Sequence, residues 1–595
     1  MKKSTVWIIL VSFISIVLLL VSCGPEKTST APGTTTSIKT SAPPTSTSSG
    51  VEKPKYGGIY TAFQPSDSSA FDCATQFDLM GFNISITNEP MLCGDWAKGP
   101  AGTGETDWTA NHLGQTGVLG GQLAESYEMT APDTIVWHIR KGVKWWNKAP
   151  ANGREFTADD VVWNLQTQWA NKTGNFQMFF PAPEEKLLSV KKIDEYTVET
   201  KFNPGKQGIQ ILETGARAYM MLPELHQNGK TQELWEDNLG TGAFMIEDYS
   251  PGVSMKFTRN PNYWQTNPCG PGKGDQLPYL DGLNILIIPD LSTQESAFRT
   301  GKIDSISNIS PETFTEMQNS MNWEFEYKQG FGFNSTPEGR EDKDLPFNDI
   351  KVRQAMNLAV DKVAIARDYY QGKADVMGFP FPNSPGLKPY YTPLEELTPL
   401  AQELIKGGNI EKAKELLKDA GYPNGFKTEI ACTANDSDIL SIVKADLAKV
   451  NINMEIKVSE TGVFWSIKRG RTFPEMLFNA NATSWMPHYF FEMRPETNDC
   501  ASFWDSPETR AVYKIVQDNL GIDDAKWSSA VKGLSSFIIE SSFGIWMPVP
   551  YAYQLWQPWL KNYYGATQLG AFVPYHNTYY NWIDQKQKES ITGRR

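Results

Sequence analysis

Apolar and polar positions alternate with two different periods along this 595-residue chain, and each change of period marks an element. Tyr56-Gly57-Gly58-Ile59-Tyr60-Thr61-Ala62 predicts a strand with a glycine-marked start. Thr134-Ile135-Val136-Trp137-His138-Ile139 predicts a second, with the β-branched and aromatic bias that a pleated surface accepts. Leu283-Asn284-Ile285-Leu286-Ile287-Ile288 is mostly apolar and of strand length, suited to a strand buried on both faces. Helical spacing begins after Phe156: Thr157 can cap the first free N–H groups, and Asp159 and Asp160 fall at the positive end of the dipole. That explains both carboxylates without catalysis. Asp349 precedes a helix expected from Ile350 to about Tyr370, with Val352, Met356 and Ala359 on one stripe. Asn409 should cap another, with Ile410, Ala413, Leu416, Leu417 and Ala420 at helical spacing and Gly421 as its stop. Between Asn88 and Gly121 the glycines at 94, 99, 102, 104 and 114 predict loops. Strands and helices mix throughout, with no internal repeat, which predicts an α/β fold.

The first 50 residues follow a different pattern. A basic start (Lys2, Lys3) leads into a 16-residue apolar stretch from Val6 to Val21, the order of an export signal. As a helix the stretch would span about 24 Å, short of the roughly 30 Å core of a bilayer. Its ending, Leu20-Val21-Ser22-Cys23-Gly24, resembles the lipobox of bacterial lipoproteins, in which the cysteine is lipidated and becomes the new N-terminus. The alternative is an ordinary cleaved signal with a chance cysteine. The lipobox reading makes 1–22 a signal peptide and places the rest outside the cytoplasm, lipid-anchored at Cys23. Residues 23–50 are a Thr/Ser/Pro tether with almost nothing apolar to bury, expected to be disordered. As a flexible coil it would span about 30 Å.

The remaining 545 residues exceed what a single core organises, so about three lobes are expected. Net charge is −13, or −15 once Lys2 and Lys3 are removed, and an acidic body argues against a nucleic-acid partner. No second apolar run approaches 18 residues, which predicts an anchored rather than a spanning chain. Besides Cys23 there are Cys73, Cys93, Cys269, Cys432 and Cys500, none in C-x-x-C spacing. Proximity favours a Cys73–Cys93 disulfide, and the odd count leaves at least one buried free thiol.

Signs of catalysis are missing. Five histidines, no H-E-x-x-H, G-x-S-x-G or G-x-G-x-x-G, and Glu224 where a phosphate loop ending at Gly229-Lys230-Thr231 needs its first glycine leave no metal, cofactor or nucleophile motif. Plentiful Asp and Glu keep a surface-anchored glycan hydrolase as the alternative of a different class. Nineteen tryptophans are the positive feature. Most should pack cores, and a few could line a pocket for sugar rings or varied side chains.

Leu123-Ala124-Glu125-Ser126-Tyr127-Glu128, Trp137 to Trp145 and Phe156 to Val161 resemble the signature of the family 5 extracytoplasmic solute-binding proteins, the peptide receptors of ABC importers. The same order continues through Gly240-Thr241-Gly242-Ala243-Phe244, Arg259 to Trp264, Pro278 to Gly282, Gly301 to Asp304, Val352 to Met356 and Ala420 to Phe426. The resemblance covers about Tyr56 to Trp582. It implies a two-lobed periplasmic-binding-protein-like α/β fold (type II, cluster C) with an extra domain inserted in the first lobe. The expected division is 51–88, 221–330 and 541–595 for lobe I, 89–220 for the inserted domain and 331–540 for lobe II, with crossings near Phe331 and near Ser541. It further implies a monomer without cofactor or enzymatic activity, which closes on an oligopeptide-like or oligosaccharide solute and docks on ABC permease subunits.

The resemblance places solute reading in Asn481 to Tyr489, with Trp485, His488 and Tyr489 as contacts and Phe333, Asn334 and Trp504 lining the site. Peptide-binding members read Trp, two residues, Asp, Tyr here, and that Asp pairs with the peptide ammonium. His488 stands where the carboxylate would be, and an imidazole cannot supply the counter-charge that a buried ammonium needs. Unless the alignment slips by a residue or Glu492 substitutes, this weakens free-amine peptides and leaves room for sugars and N-blocked peptides.

Overall fold

The computed structural model describes residues 52–67, 71–72, 82–108, 116–171, 185–227, 234–332, 334–384, 387–481, 493–497, 500–570 and 575–594. Cys23, the signal and the tether lie outside them, and Glu52–Arg595 forms one compact unit.

Four four-stranded sheets, beside two two-stranded pairs, organise the described residues of that unit. The first orders Ile59–Gln64, Gly282–Ile287, Ser254–Arg259 and Phe244–Ser250, its first pair parallel and the rest antiparallel. Leu283 and Ile285 enter one apolar cluster, and Leu286 packs on another, so both faces of the Gly282–Ile287 strand meet a core. The second sheet is antiparallel and local: Ala124–Ala131, Thr134–Ile139, Thr197–Phe202, Leu187–Asp194. The helix Ala158–Ala170 packs against it, with the Asp160 carboxylate accepting the backbone N–H of Thr157 at 2.9 Å and pairing with Arg154 at 2.6 Å. Asp160 is buried by this structural work, and exposed Asp159 pairs with Lys192.

In the third sheet Val549–Trp556 lies between Ser305–Ile309 and Glu326–Phe331, all antiparallel. The fourth orders Asn334–Gly339, Met476–Asn481, Lys427–Thr433 and Asn453–Ser459, antiparallel at the first pair and parallel beyond it. Glu326–Phe331 and Asn334–Gly339 are nearly continuous in sequence but belong to different sheets, so the chain changes sheet across two residues.

Two expectations are corrected. Cys93 is a free, buried thiol that donates to Gln122 Oε1 at 3.2 Å, so no Cys73–Cys93 disulfide forms. The helix from Ile350 ends at Ala359 rather than near Tyr370. Asp361 caps a new turn by accepting the Ala364 N–H at 2.8 Å, and a π-turn runs from Ile365 to Tyr369. Fully buried Lys362 sits at the break, its ammonium donating to the carbonyls of Asn357 and Leu404, which have no helical donor left. The Asn409 cap (accepting Lys412 N–H at 3.2 Å) and the strand Thr134–Ile139 form as the spacing predicts.

Candidate solute-binding site

The fourth sheet offers the geometry for a ligand. Three parallel strands end at one edge, at Thr433, Ser459 and Asn481. Such carboxyl ends open onto the crevice where α/β sheets take ligands, because the chain leaves each strand there in a loop. Thr433 is fixed by Asp436, whose carboxylate accepts its N–H at 3.0 Å and its hydroxyl at 2.6 Å. Glu460 caps the next helix through Gly462 and Val463. Asn334 pairs in register with Asn481, so the backbone brings the start of one edge strand to the end of its neighbour.

Of the residues expected to read solute, Trp485, His488, Tyr489 and Phe333 lie outside the described residues, as does Glu492. Asn334 is described by its backbone alone, at that edge. Trp504 is not brought there. It is 6 % exposed in the core, its ring stacked on Phe543 at 4.9 Å, beyond the other end of the same strand pair, where Glu338 faces Leu477.

Sequence inspection missed the groups that hold the neighbouring chain. Buried Glu338 accepts the Asn479 amide and the Ser502 N–H, each at 3.0 Å, tying the outgoing strand to the returning chain. Arg471, in the left-handed region at φ 53°, donates to the carbonyls of Pro495 (2.6 Å) and Cys500 (3.1 Å). Its guanidinium lies 3.5 Å from the Phe503 ring centroid. Burial lowers the Arg471 pKa and raises that of the Cys500 thiol. Arg494 pairs with buried Glu185 at 3.2 Å and lies over the Tyr513 ring at 4.6 Å. Only folding brings these partners together, so spacing along the chain carried no signal.

Residues of four of the sequence blocks that carry the resemblance meet buried charges elsewhere. Glu89 accepts from Thr241 (2.7 Å), Tyr263 (2.7 Å), Trp264 (3.4 Å) and Gln122, and burial raises its pKa. Asp304 accepts from Thr61 N–H (2.7 Å) and Trp559 (2.6 Å). Arg353 donates to the carbonyls of Ser541 (3.1 Å) and Phe347 (2.8 Å) and pairs with Glu341 at 3.1 Å. Those blocks record a scaffold.

A family model for bacterial extracellular solute-binding proteins, family 5, matches residues 119–499, more than half of the chain. The chain belongs to this family. Heme-binding protein A of Haemophilus influenzae is 30 % identical over 353 residues, 56 % of this chain and 60 % of that protein. The dipeptide-binding protein of Pseudomonas aeruginosa is 25 % identical over 478 residues, 74 % and 83 % of the two chains. Among solved structures, the periplasmic binding protein DppA of Helicobacter pylori, in complex with the peptide STSA, superposes with a TM-score of 0.68. It has 20 % identity, with 89 % of this chain and 99 % of that one covered. The two-lobed family 5 fold, α/β throughout, follows. Among the described residues no group of three or more His, Cys, Asp or Glu could hold a metal, and no helix is long and apolar enough to cross a membrane.

Proposed function

We propose that this family 5 protein is the extracytoplasmic receptor of an ABC importer, taking an oligopeptide-like solute at the strand-end edge of the second lobe. The observation that carries this is the in-register meeting of Asn334 and Asn481 where three parallel strands end. Relatives that bind a dipeptide or the peptide STSA favour a peptide over an oligosaccharide. The division is the one given by the resemblance: lobe I, an inserted domain at 89–220 and lobe II at 331–540. Closure about crossings near Phe331 and near Ser541 would trap the solute, and the closed form would dock on the permease subunits. The receptor acts as a monomer and performs no chemistry itself.

Mass spectrometry of the solute that copurifies with the protein tests the assignment directly. A peptide supports it, an oligosaccharide replaces the solute class, and turnover of a glycan panel overturns it in favour of a hydrolase. Trp485 offers a flat apolar face with little rotamer entropy to lose, so Trp485→Ala is expected to weaken binding by about 2–4 kcal/mol. His488→Asp would restore a carboxylate for an ammonium and improve affinity for free-amine peptides over N-acetylated ones. Calorimetric titration of matched pairs decides this; wild-type binding that already depends on the free amine would remove His488 from that role.

Lipid anchoring rests on the run ending at Cys23. Cys23→Ala is expected to move the protein from the membrane fraction into the soluble fraction. Fractionation with the variant still firmly membrane-bound would rule the anchor out.

A further inference from the structure

The chain enters the compact unit Glu52–Arg595 at a surface built from several distant segments. Lys53 pairs with Asp275 at 3.6 Å, and the Tyr56 hydroxyl donates to the Gln276 carbonyl at 2.6 Å. Lys55 pairs with Asp584 at 3.1 Å and lies 4.9 Å from the Trp582 ring centroid. Lys561 stands in register with Trp582, and Arg594 donates to the Thr300 carbonyl at 2.7 Å, close to Lys302 in the chain. Most carboxylates here are answered locally: Glu52 and Asp584 by Lys55, Asp275 by Lys53, Asp281 by Arg259. Five more cations, Lys273, Lys302, Lys561, Lys586 and Arg594, are exposed or half-exposed and form no ion pair among the described residues. Against them stands exposed Glu589.

We propose that this surface docks on an anionic phospholipid bilayer and turns the tether side of the receptor toward the membrane. This deepens the anchoring at Cys23 proposed above and rests on it. The tether, residues 23–50, would span about 30 Å as a flexible coil and leads to Glu52, among those cations. A folded body of this length has a radius of gyration of about 24 Å, so the entry surface is the part that the tether keeps nearest the headgroups. Charge decides whether it stays there. The whole chain carries −13, which anionic lipid repels. Salt cuts that repulsion off beyond about 8 Å, so at close range each face acts through its own charge. Five unpaired cations make this face attractive, since each Lys or Arg near an anionic surface adds binding energy.

The test is neutron reflectometry of the full, lipidated chain on supported bilayers, of phosphatidylcholine alone or with about a third phosphatidylglycerol. The gap between bilayer and protein layer is the readout. On the anionic bilayer at about 0.1 M salt, wild type is expected to close the gap to under about 10 Å. On phosphatidylcholine, or on either bilayer at about 1 M salt, the gap should approach the tether's span of about 30 Å. Lys273→Gln, Lys302→Gln, Lys561→Gln, Lys586→Gln and Arg594→Gln together should leave it open on both bilayers. Lys406, Lys418, Lys427, Lys444 and Lys526 are exposed lysines of the second lobe, and changing them to glutamine gives a control with the same charge change. That control should dock like wild type. A wild-type gap that ignores lipid charge and salt overturns the docking surface alone. So does a patch variant that still closes the gap, or a control that opens it. The salt series asks the same question without any substitution, so it decides even where the patch variant fails to fold. Protein that washes off phosphatidylcholine overturns the anchor; docking then stands on salt-sensitive retention by phosphatidylglycerol and falls without it.

Discussion

Asp304→Ala is expected to lower the unfolding free energy by about 3–5 kcal/mol, the scale for removing one partner of a buried charge pair. Asp304 is fully buried. One carboxylate oxygen accepts the Thr61 N–H at 2.7 Å, and the other accepts the Trp559 indole at 2.6 Å and faces the Lys588 ammonium at 3.4 Å. Its backbone N–H donates to Thr61 and its carbonyl accepts from Gln557. One residue thus joins the first strand, the chain after Val549–Trp556 and the C-terminal helix Gln585–Thr592. Burial raises its pKa in spite of Lys588, so the carboxylate is costly where it stands. That does not make it dispensable. Alanine would leave a buried ammonium and two donors around a hole, whereas asparagine keeps the volume and some of the hydrogen bonds and should cost less. Denaturant unfolding of both variants is the check. An alanine variant within about 1 kcal/mol of wild type would show that the three elements are held by packing alone.

Glu338→Ala is expected to cost about 2–5 kcal/mol of stability, because two buried groups, the Asn479 amide and the Ser502 N–H, each lose their acceptor. Solute affinity should fall with it, by tenfold or more. The carboxylate joins the strand that leads out to residue 482 to the chain that has returned by residue 500, and the proposed contacts Trp485, His488 and Tyr489 lie between those two points along the chain. Glu338→Gln keeps one acceptor and nearly the same volume, so it should recover part of both losses. Unfolding curves and calorimetric titration separate the two effects. Full affinity in an alanine variant that is destabilised as expected would detach Glu338 from solute binding and leave it a structural tie.

The difference between what was readable and what was not has a consistent cause. The strand Thr134–Ile139, the caps at Thr157 and Asn409 and the mixing of helices with strands depend on neighbours a few residues apart, which the sequence displays directly. The helix expected to reach Tyr370 stops at Ala359 because buried Lys362 and the Asp361 cap prefer a break there, and both gain their value from packing. Cys93 lies 20 residues from Cys73, yet its thiol is turned toward Gln122 in a buried network, a placement that sequence proximity cannot reveal. Trp504, expected to line the site, is buried with its ring stacked on Phe543, a placement that packing sets.

By itself, the sequence determined the family and the α/β class. Four of the recognisable blocks meet buried charges: Thr241, Tyr263 and Trp264 donate to Glu89, and Asp304 and Arg353 are themselves such charges. Tertiary structure alone decided which groups hold the candidate site: Glu338 spanning Asn479 and Ser502, Arg471 gripping two carbonyls, Arg494 meeting Glu185 309 residues away. A hydrogen bond between remote residues leaves no periodicity in the chain, because its energy depends on distance and direction in space, and those are fixed only once the sheets have packed.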